Sequence, residues 1–250
     1  MTTAVRLASL VRRRVTKETI FPTGADVRVE GLALRYGAGP WIFRDVSFRL
    51  PRGRMLAVAG PSGVGKTSLM RCLAGLLPAS HGQIAYRLSD GTILTPAVMG
   101  ARLGMVFQSL RLTGAASSID NVCFGRLGRH PFFRTLLGFP RGEREEAYAE
   151  LCALGLCHQA HSPVSRLSGG ERQRVAVARA LHQDADVILA DEPVASLDKA
   201  NAQRCLMCLR QRAVQDGLTV IVVLHDEDLI ERYADEVLRL EPVEAGVTGA

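Results

Sequence analysis

One glycine-rich segment constrains the fold of this chain more than any other part of its sequence. It follows the apolar run Met55–Ala59 and consists of Gly60, Pro61, Ser62, Gly63, Val64, Gly65, Lys66, Thr67 and Ser68. The glycines let the backbone turn tightly, so that consecutive N–H groups and the N-terminus of the next helix converge on an anionic oxygen. Lys66 adds a charge for the β- and γ-phosphates, and Thr67 offers a hydroxyl to Mg²⁺. The segment therefore predicts a strand–loop–helix unit that binds the phosphates of a nucleotide, with Ser68 in the first turn of the helix.

A second motif, Ser168-Gly169-Gly170-Glu171, precedes a stretch of strong helix formers. Ser168 at a helix N-cap, with Glu171 three residues later, predicts a capping box. Capping does not explain the two glycines, because glycine weakens a helix unless something must approach the backbone closely. A phosphate group is the expected ligand at a helix N-terminus. We therefore interpret Ser168, Gly169 and Gly170 as a second phosphate contact.

Two carboxylates, Asp191 and Glu192, follow a short apolar run that is typical of a buried strand. Acidic residues at the carboxyl end of a strand fit a Mg²⁺ ligand, Asp191, followed by a base or water-orienting group, Glu192. Two further strand-like runs are followed by Gln108 and His225. A histidine at the tip of a strand is, by itself, more often a capping or packing residue. Its place after the other motifs predicts instead that His225 belongs to the same site.

The order of these motifs, with Ser196-Leu197-Asp198 between Glu192 and His225, resembles the ATPase subunit of an ABC transporter. The resemblance runs from about residue 27 to residue 240, which is nearly the whole chain. It implies an α/β fold, a P-loop NTPase of ABC type with an antiparallel β subdomain and a helical insertion.

The resemblance also implies a division of the chain. We expect an N-terminal leader, an ATPase domain and a C-terminal tail, at residues 1–26, 27–243 and 244–250. Within the ATPase domain, the antiparallel part is expected from residues 27–58 and 82–95, and the helical subdomain from about 109 to 181. The clearest helices of that subdomain are predicted at 143–154 and 170–181.

The resemblance assigns roles to the residues that match the family's motifs. Glu192 would activate the water that attacks ATP, and His225 would hold the γ-phosphate. Gln108 would contact Mg²⁺ in the catalytic site and sense a transmembrane partner. Thr67 and Asp191 would complete the Mg²⁺ ligands. ATP and Mg²⁺ are therefore the expected cofactors.

Other roles concern a dimer of two ATPase chains. Ser168, Gly169 and Gly170 would bind the γ-phosphate held by the opposite protomer, and Asp198 would lie across the dimer interface. Tyr36 would stack on adenine, an interaction that contributes on the order of 1–3 kcal/mol per base. A tyrosine just beyond an edge strand is also commonly a rim residue, so both interpretations of Tyr36 stay open.

A finer resemblance connects the chain to the ATPases of phosphonate importers. It rests on residues 120–136, on residues 188–198 and on Leu224-His225. A basic surface helix and loop with an aromatic anchor is the alternative explanation of the segment around residues 125–136. The chain departs from that branch at Glu171 and Asp226, where glutamine is commoner.

The composition of the chain agrees with these expectations but does not distinguish between the possible ligands and partners. A chain of 250 residues with 47% hydrophobic content can bury one large core or two small ones. The net charge of +6 suits anionic ligands, a lipid surface and nucleic acid alike.

The six cysteines form no zinc pattern, and reduced thiols are expected. No apolar run approaches the roughly 20 residues of a membrane span, so we expect a soluble subunit. Residues 1–26 could form a membrane-surface helix or a solvated leader.

Two functions from different classes fit the sequence. The first is the ATPase of an importer for a phosphonate or a related phosphorus oxyanion, peripheral on the cytoplasmic face of the inner membrane. Its partners would be a second ATPase chain, arranged head to tail, a membrane permease and, indirectly, a periplasmic or surface substrate-binding protein, with no nucleic acid. The alternative is an ABC-type ATPase without membrane transport, such as an accessory of a cytosolic phosphonate-degrading enzyme complex, or an ATPase for another cargo.

Overall fold

The computed structural model describes residues 24–129 and 138–243. The strands are β1 (Ala25–Arg35), β2 (Trp41–Leu50), β3 (Met55–Ala59), β4 (His81–Leu88), β5 (Ile93–Leu94), β6 (Leu103–Val106), β7 (Val187–Ala190), β8 (Thr219–Val223) and β9 (Glu236–Arg239). The α-helices are α1 (Lys66–Leu73), α2 (Pro96–Met99), α3 (Ser118–Cys123), α4 (Arg141–Ala153), α5 (Gly169–His182), α6 (Lys199–Asp216) and α7 (Glu227–Tyr233). Short 3₁₀ segments lie at Gly100–Arg102, Phe124–Arg129, Cys157–Gln159 and Val164–Arg166.

Parts of three predicted segments lie outside the described residues. They are residues 1–23 of the leader, residues 130–136 of the segment similar to phosphonate importers, and the tail at 244–250. Strand β1 begins at Ala25, so Ala25 and Asp26, which we assigned to the leader, belong to the first sheet.

The strands form two sheets of different type. A five-stranded parallel sheet has the order β6-β7-β8-β3-β9, and a four-stranded antiparallel sheet has the order β2-β1-β4-β5. The predicted α/β class with an antiparallel subdomain is confirmed. One detail of the prediction is wrong: the antiparallel part was expected to run to residue 58, but Met55–Ala59 is a strand of the parallel sheet.

Strand β3 belongs to the parallel sheet because both of its faces are covered. Met55, Ala57 and Ala59 point into a core shared with the helices α3 to α7. Leu56 and Val58 point into a second core, shared with α1 and the antiparallel sheet. All five residues are buried, as expected of a strand between two layers. The strand therefore holds the glycine-rich loop between the two cores of the molecule.

The helical subdomain is built mainly from α3, α4 and α5. These helices pack against one another through apolar side chains such as Val122, Leu151 and Val175, which are fully buried. The two clearest predicted helices, at 143–154 and 170–181, correspond to Arg141–Ala153 and Gly169–His182. No helix within the two described stretches is long and apolar enough to cross a membrane.

The expectation that all cysteines are reduced is wrong for one pair. Cys152, in the last turn of α4, forms a disulfide with Cys157, at the start of the next 3₁₀ turn. The chain reverses at Gly155, which has a φ of +74°, and this turn brings the two Cα atoms to 4.4 Å. That distance lies at the short end of the usual range for disulfides. The remaining cysteines are free, as expected.

Candidate functional site

The carboxyl ends of four neighbouring parallel strands bring the main predicted residues to one edge of the sheet. Gln108 follows β6, Asp191 and Glu192 follow β7, His225 comes two residues after β8, and the glycine-rich loop follows β3. The sheet order places β6, β7, β8 and β3 side by side. Residues that are far apart in the sequence therefore meet at the edge where open α/β sheets bind their ligands.

The glycine-rich loop has the backbone that its sequence predicts. Gly60 has a φ of +141°, and a Cβ at this position would lie 2.4 Å from the backbone oxygen of Leu240. Gly65, with a φ of +102°, is the N-cap of α1. Side chains at these two positions would be strained or would clash, so the tight turn requires glycine.

Lys66 is positioned over this loop. Its side-chain Nζ donates hydrogen bonds to the backbone oxygens of Gly60 and Pro61, each at 2.8 Å. The residue is only 6% exposed. An ammonium group has three protons to donate, so the loop carbonyls leave capacity for a phosphate oxygen. The position fits the predicted role of Lys66 as the charge on the β- and γ-phosphates.

Asp191 and Thr67 are suited to a Mg²⁺ ion. Burial raises the pKa of Asp191, and a hydrogen bond from the Thr67 side chain only partly offsets this effect. The Asp191 carboxylate is thus held in a place where its charge lacks full compensation, and a cation would provide it. A carboxylate and a hydroxyl are oxygen ligands of the kind that Mg²⁺ takes beside substrate phosphates.

Glu192 has a constrained backbone and a paired side chain. Its φ is +52°, a left-handed conformation that non-glycine residues rarely adopt. Its Oε1 lies 2.9 Å from Nε2 of His225. Residues held in such conformations cluster at active sites, because the surrounding structure must force them. The structure thus joins the predicted base and the predicted γ-phosphate ligand in one hydrogen-bonded pair.

The capping box predicted at the second motif is present. The Ser168 hydroxyl accepts a hydrogen bond from the Glu171 N–H, and Glu171 Oε2 accepts one from the Ser168 N–H at 2.8 Å. The pKa of the Glu171 carboxyl is lowered by the hydrogen bonds that it accepts, first from the Ser168 N–H and then from the Ser168 hydroxyl. A Cβ on Gly169 would meet no atom of the described residues within 4 Å. Packing within the chain therefore does not require glycine here, which supports the interpretation that something from outside approaches this backbone.

The remaining predicted residues lie around the site. Asp198 is the N-cap of α6, and its carboxylate accepts hydrogen bonds from the backbone and the side chain of Asn201 at 2.9 and 2.7 Å. This capping role belongs to its own chain, so the role across an interface stays a prediction. Tyr36 follows β1 and is 58% exposed. Gln108 is also exposed. Both side chains are accessible to a ligand or a partner.

Sequence reasoning missed Gln173. This residue lies in α5 and is 4% exposed, and its amide bonds the backbone oxygen of Glu192 as well as Ser196. A glutamine five residues into a helix gives no signal of such contacts, because its partners lie 19 and 23 residues further along the chain. A polar residue on the buried face of α5 was the one available clue.

Comparison with known proteins agrees with the geometry. The sequence matches the ABC transporter family over residues 43–195. It is 40% identical to the phosphite import ATP-binding protein PxtA of Stutzerimonas stutzeri over 217 residues, which cover 86% of this chain and 79% of that protein. It is also 40% identical over 223 residues to the phosphonates import ATP-binding protein PhnC of Escherichia coli K12, covering 86% of this chain and 85% of that one.

A solved structure shares the fold. It is a dimeric, post-hydrolysis form of the ATP-binding cassette MJ0796 bound to ADP and Pi, with a TM-score of 0.72 and 26% identity over 87% of this chain and 96% of that one. The two sheets, the glycine-rich loop and the capped Ser-Gly-Gly helix of this chain thus occur within a known cassette architecture. Taken with the family match, they establish that this chain belongs to the ABC transporter family, as an ATP-binding subunit that hydrolyses ATP.

Proposed function

We propose that this ATPase energises the uptake of a phosphonate, or of a related phosphorus oxyanion such as phosphite, through a separate membrane permease. The observation that carries this proposal is the 40% identity, over most of the chain, to proteins named as phosphite and phosphonates import ATP-binding proteins. The motif Asp191-Glu192-Pro193-Val194-Ala195-Ser196-Leu197-Asp198 and the pair Leu224-His225 support the same branch of the family.

Hydrolysis is proposed to depend on residues at the strand ends. Lys66 and the N–H groups of the loop bind the phosphates, which orients the γ-phosphoryl group for in-line attack. Glu192 takes a proton from the attacking water, the water oxygen bonds to the γ-phosphorus, and ADP leaves. His225 holds Glu192 from one side and would contact the γ-phosphate from the other. A Mg²⁺ held by Thr67 and Asp191 would neutralise charge on the phosphates.

Two chains are needed for complete sites in this proposal. Within one chain, Ser168 caps α5, and none of the described residues fills the space over Gly169, the first residue of the helix. A head-to-tail dimer would place this helix N-terminus against the nucleotide of the partner chain, where its N–H groups favour the γ-phosphate. The dimeric state of the similar MJ0796 cassette supports this arrangement.

A groove beside Gln108 is the proposed docking surface of the permease. Its volume is about 400 Å³, and its lining includes Leu76, Phe107, Arg111, Phe124, Gly125 and Arg179. It adjoins the surface from Ser109 to Phe124, which directly follows Gln108, the residue expected to sense the transmembrane partner. The mixture of apolar side chains and two guanidinium groups suits a partner segment that carries apolar residues and a carboxylate.

The groove is connected to the ATP site by a short constrained segment. Leu110 and Arg111 follow Gln108 closely, and both have left-handed backbones, with φ of +54° and +47°. Arg179 of α5 holds them by donating hydrogen bonds of 2.7 Å to each of their backbone oxygens. Movement of Gln108 or of α5 on ATP binding would therefore change the shape of the docking surface.

Leu76→Asp should test the docking surface. Leu76 is 59% exposed at the groove, so the variant should fold and bind ATP, but the added charge should weaken association with the permease. Val214→Asp is the matched control, because Val214 is 65% exposed on α6 and does not line this groove. We expect permease copurified in detergent with Leu76→Asp to fall by about tenfold, the loss of roughly one buried apolar side chain. Equal recovery with both variants would reject the groove as the docking surface.

The cargo is tested by growth. Deleting the gene should prevent growth on a phosphonate or on phosphite as the sole phosphorus source, and growth on phosphate should be normal. A plasmid with the wild-type gene should restore growth, and one with Glu192→Gln should not. Undiminished growth of the deletion strain, in a genome without a second such importer, would reject the cargo. If the ATPase instead purifies with a soluble enzyme complex and not with a membrane subunit, the accessory function replaces the importer.

The proposed place of the subunit in the cell follows from its partner. Bound to the permease, the chain would be peripheral on the cytoplasmic face of the inner membrane, where ATP is available. A periplasmic or surface substrate-binding protein would select the oxyanion and act on the ATPase only through the permease.

A further inference from the structure

The buried amide of Gln173 joins three functional segments. Its Nε2 donates a hydrogen bond of 2.7 Å to the backbone oxygen of Glu192. Its Oε1 accepts hydrogen bonds from the Ser196 N–H, at 3.1 Å, and from the Ser196 hydroxyl. Gln173 itself stands in α5, five residues after Ser168. One side chain therefore links the capped helix, the strand end with the carboxylate and the turn that leads to Asp198.

The hydrogen bond from Gln173 to Glu192 is made to a residue with a left-handed backbone conformation. A left-handed conformation of a non-glycine residue is unfavourable and persists only when its surroundings hold it. The Glu192 carbonyl is held by Gln173, and the Glu192 carboxylate is held by His225. These two contacts fix both ends of the residue. The direction of the carboxylate depends on both, because the side chain follows the backbone that carries it.

The turn that follows Glu192 packs against the first two turns of α5. Ser196 is bonded to Gln173 through its N–H and its hydroxyl. A Cβ on Gly170 would lie 3.0 Å from Leu197 Cδ2 and 3.3 Å from the backbone oxygen of Ser196. The first turns of α5 thus contact this turn closely at Gly170 and at Gln173. A displacement of the helix N-terminus would be passed to both Ser196 and Glu192.

We propose that Gln173 is a positioning residue for hydrolysis. It holds the Glu192 carboxylate in the geometry that activates water, and it makes this geometry respond to the position of α5. When Ser168 and Gly169 engage the nucleotide of the partner chain, the helix moves, and Gln173 carries that movement to the Glu192 of its own site. The inference rests on the proposed role of Glu192 as the base. A glutamine is needed because one end of its side chain must donate and the other must accept.

Two substitutions test the role. Gln173→Glu keeps the shape and can still accept from Ser196, but it has no proton for the Glu192 carbonyl. Gln173→Leu removes both kinds of hydrogen bond at similar volume. We expect kcat to fall by about ten- to a hundred-fold, as expected for misplacement of a catalytic group by a fraction of an ångström. Because the phosphate contacts are unaltered, KM for ATP and the ATP affinity of the monomer should stay within about threefold of wild type.

Gln83→Glu is the matched control. It makes the same chemical change at an exposed position of β4, in the antiparallel sheet, and should leave kcat and KM unaltered. The melting temperature and the ATP affinity of each variant show whether the fold is intact. If both Gln173 variants lose ATP binding together with hydrolysis, the residue is merely structural and the proposal is overturned. Wild-type kcat in both variants would overturn it as well.

A double substitution separates positioning from general damage. In chains that carry Glu192→Gln, adding Gln173→Leu should lower the residual rate no further, because Gln173 acts through the carboxylate that is already absent. A full additional loss would overturn the proposal. The single Glu192→Gln variant separates the role of Glu192 from that of Gln173. If this variant hydrolyses ATP at the wild-type rate, Glu192 is not the base, and Gln173 cannot act by positioning it. If this variant is inactive but the Gln173 variants are fully active, only the positioning role of Gln173 is rejected.

Discussion

Glu192→Gln should lower ATP hydrolysis by about 10²- to 10⁴-fold, the contribution usually made by a positioned general base. The amide has the shape of the carboxylate, but it cannot take the proton of the attacking water. Its contact with His225, 2.9 Å long in the wild-type chain, can still form. ATP binding should therefore be close to that of wild type, and the variant should accumulate as an ATP-bound dimer.

Phosphate release and gel filtration with ATP, both with the permease present, measure these two effects. Glu231→Gln is a suitable control, because Glu231 is exposed on α7 and the same chemical change there should leave both measurements unaltered. Wild-type turnover by the Glu192 variant would remove this residue from its role as the base.

Lys66→Ala should act at an earlier step and weaken ATP binding by about ten- to a hundred-fold, as expected for the loss of a charge-assisted hydrogen bond. The Lys66 side chain also bonds the backbone oxygens of Gly60 and Pro61, so its removal loosens the loop that cradles the phosphates. Titration of the monomer with a fluorescent ATP analogue measures the effect. Unchanged affinity would show that the loop binds phosphate without this charge.

Ser168→Arg should have the opposite profile. Ser168 lies at the N-terminus of α5, and its side chain is hydrogen-bonded to Glu171. The large side chain should block closure against a partner chain without touching the nucleotide of its own chain. We expect ATP binding to the monomer to be retained and hydrolysis to be lost. Loss of ATP binding by the monomer would show that Ser168 acts in the ATP site of its own chain and not in that of the partner.

The features that the sequence predicted well are local ones. The glycine-rich loop, the capping box of Ser168 and Glu171, and the strands that precede Asp191 and His225 each depend on residues within one turn or one strand. The loop, Asp191, Glu192 and His225 then meet at one edge because parallel strands end on the same side of a sheet. Strand β3 was assigned to the wrong sheet, since its five buried residues carry no alternation from which its neighbours could be read.

The features that the sequence did not predict depend on contacts between distant residues. Nothing near Gln173 indicates that its amide reaches Glu192 and Ser196, because those partners are brought close only by the packing of α5 on the parallel sheet. The left-handed backbone of Glu192 is likewise imposed by its surroundings. The Cys152–Cys157 disulfide depends on the chain reversal at Gly155, and the sequence analysis did not predict this turn.

The central claim is that each complete ATP site combines the loop of one chain with Ser168 and Gly169 of another. Mixing Lys66→Ala chains with Ser168→Arg chains tests it most directly, with hydrolysis measured in the presence of the permease. Each variant alone should be inactive. In a mixed dimer, the intact loop of the Ser168→Arg chain would face the intact Ser168 of the Lys66→Ala chain, which forms one complete site. Random pairing of equal amounts makes roughly half of the dimers mixed, so the mixture should regain up to roughly a quarter of the wild-type rate. A mixture as inactive as either variant alone would contradict the claim.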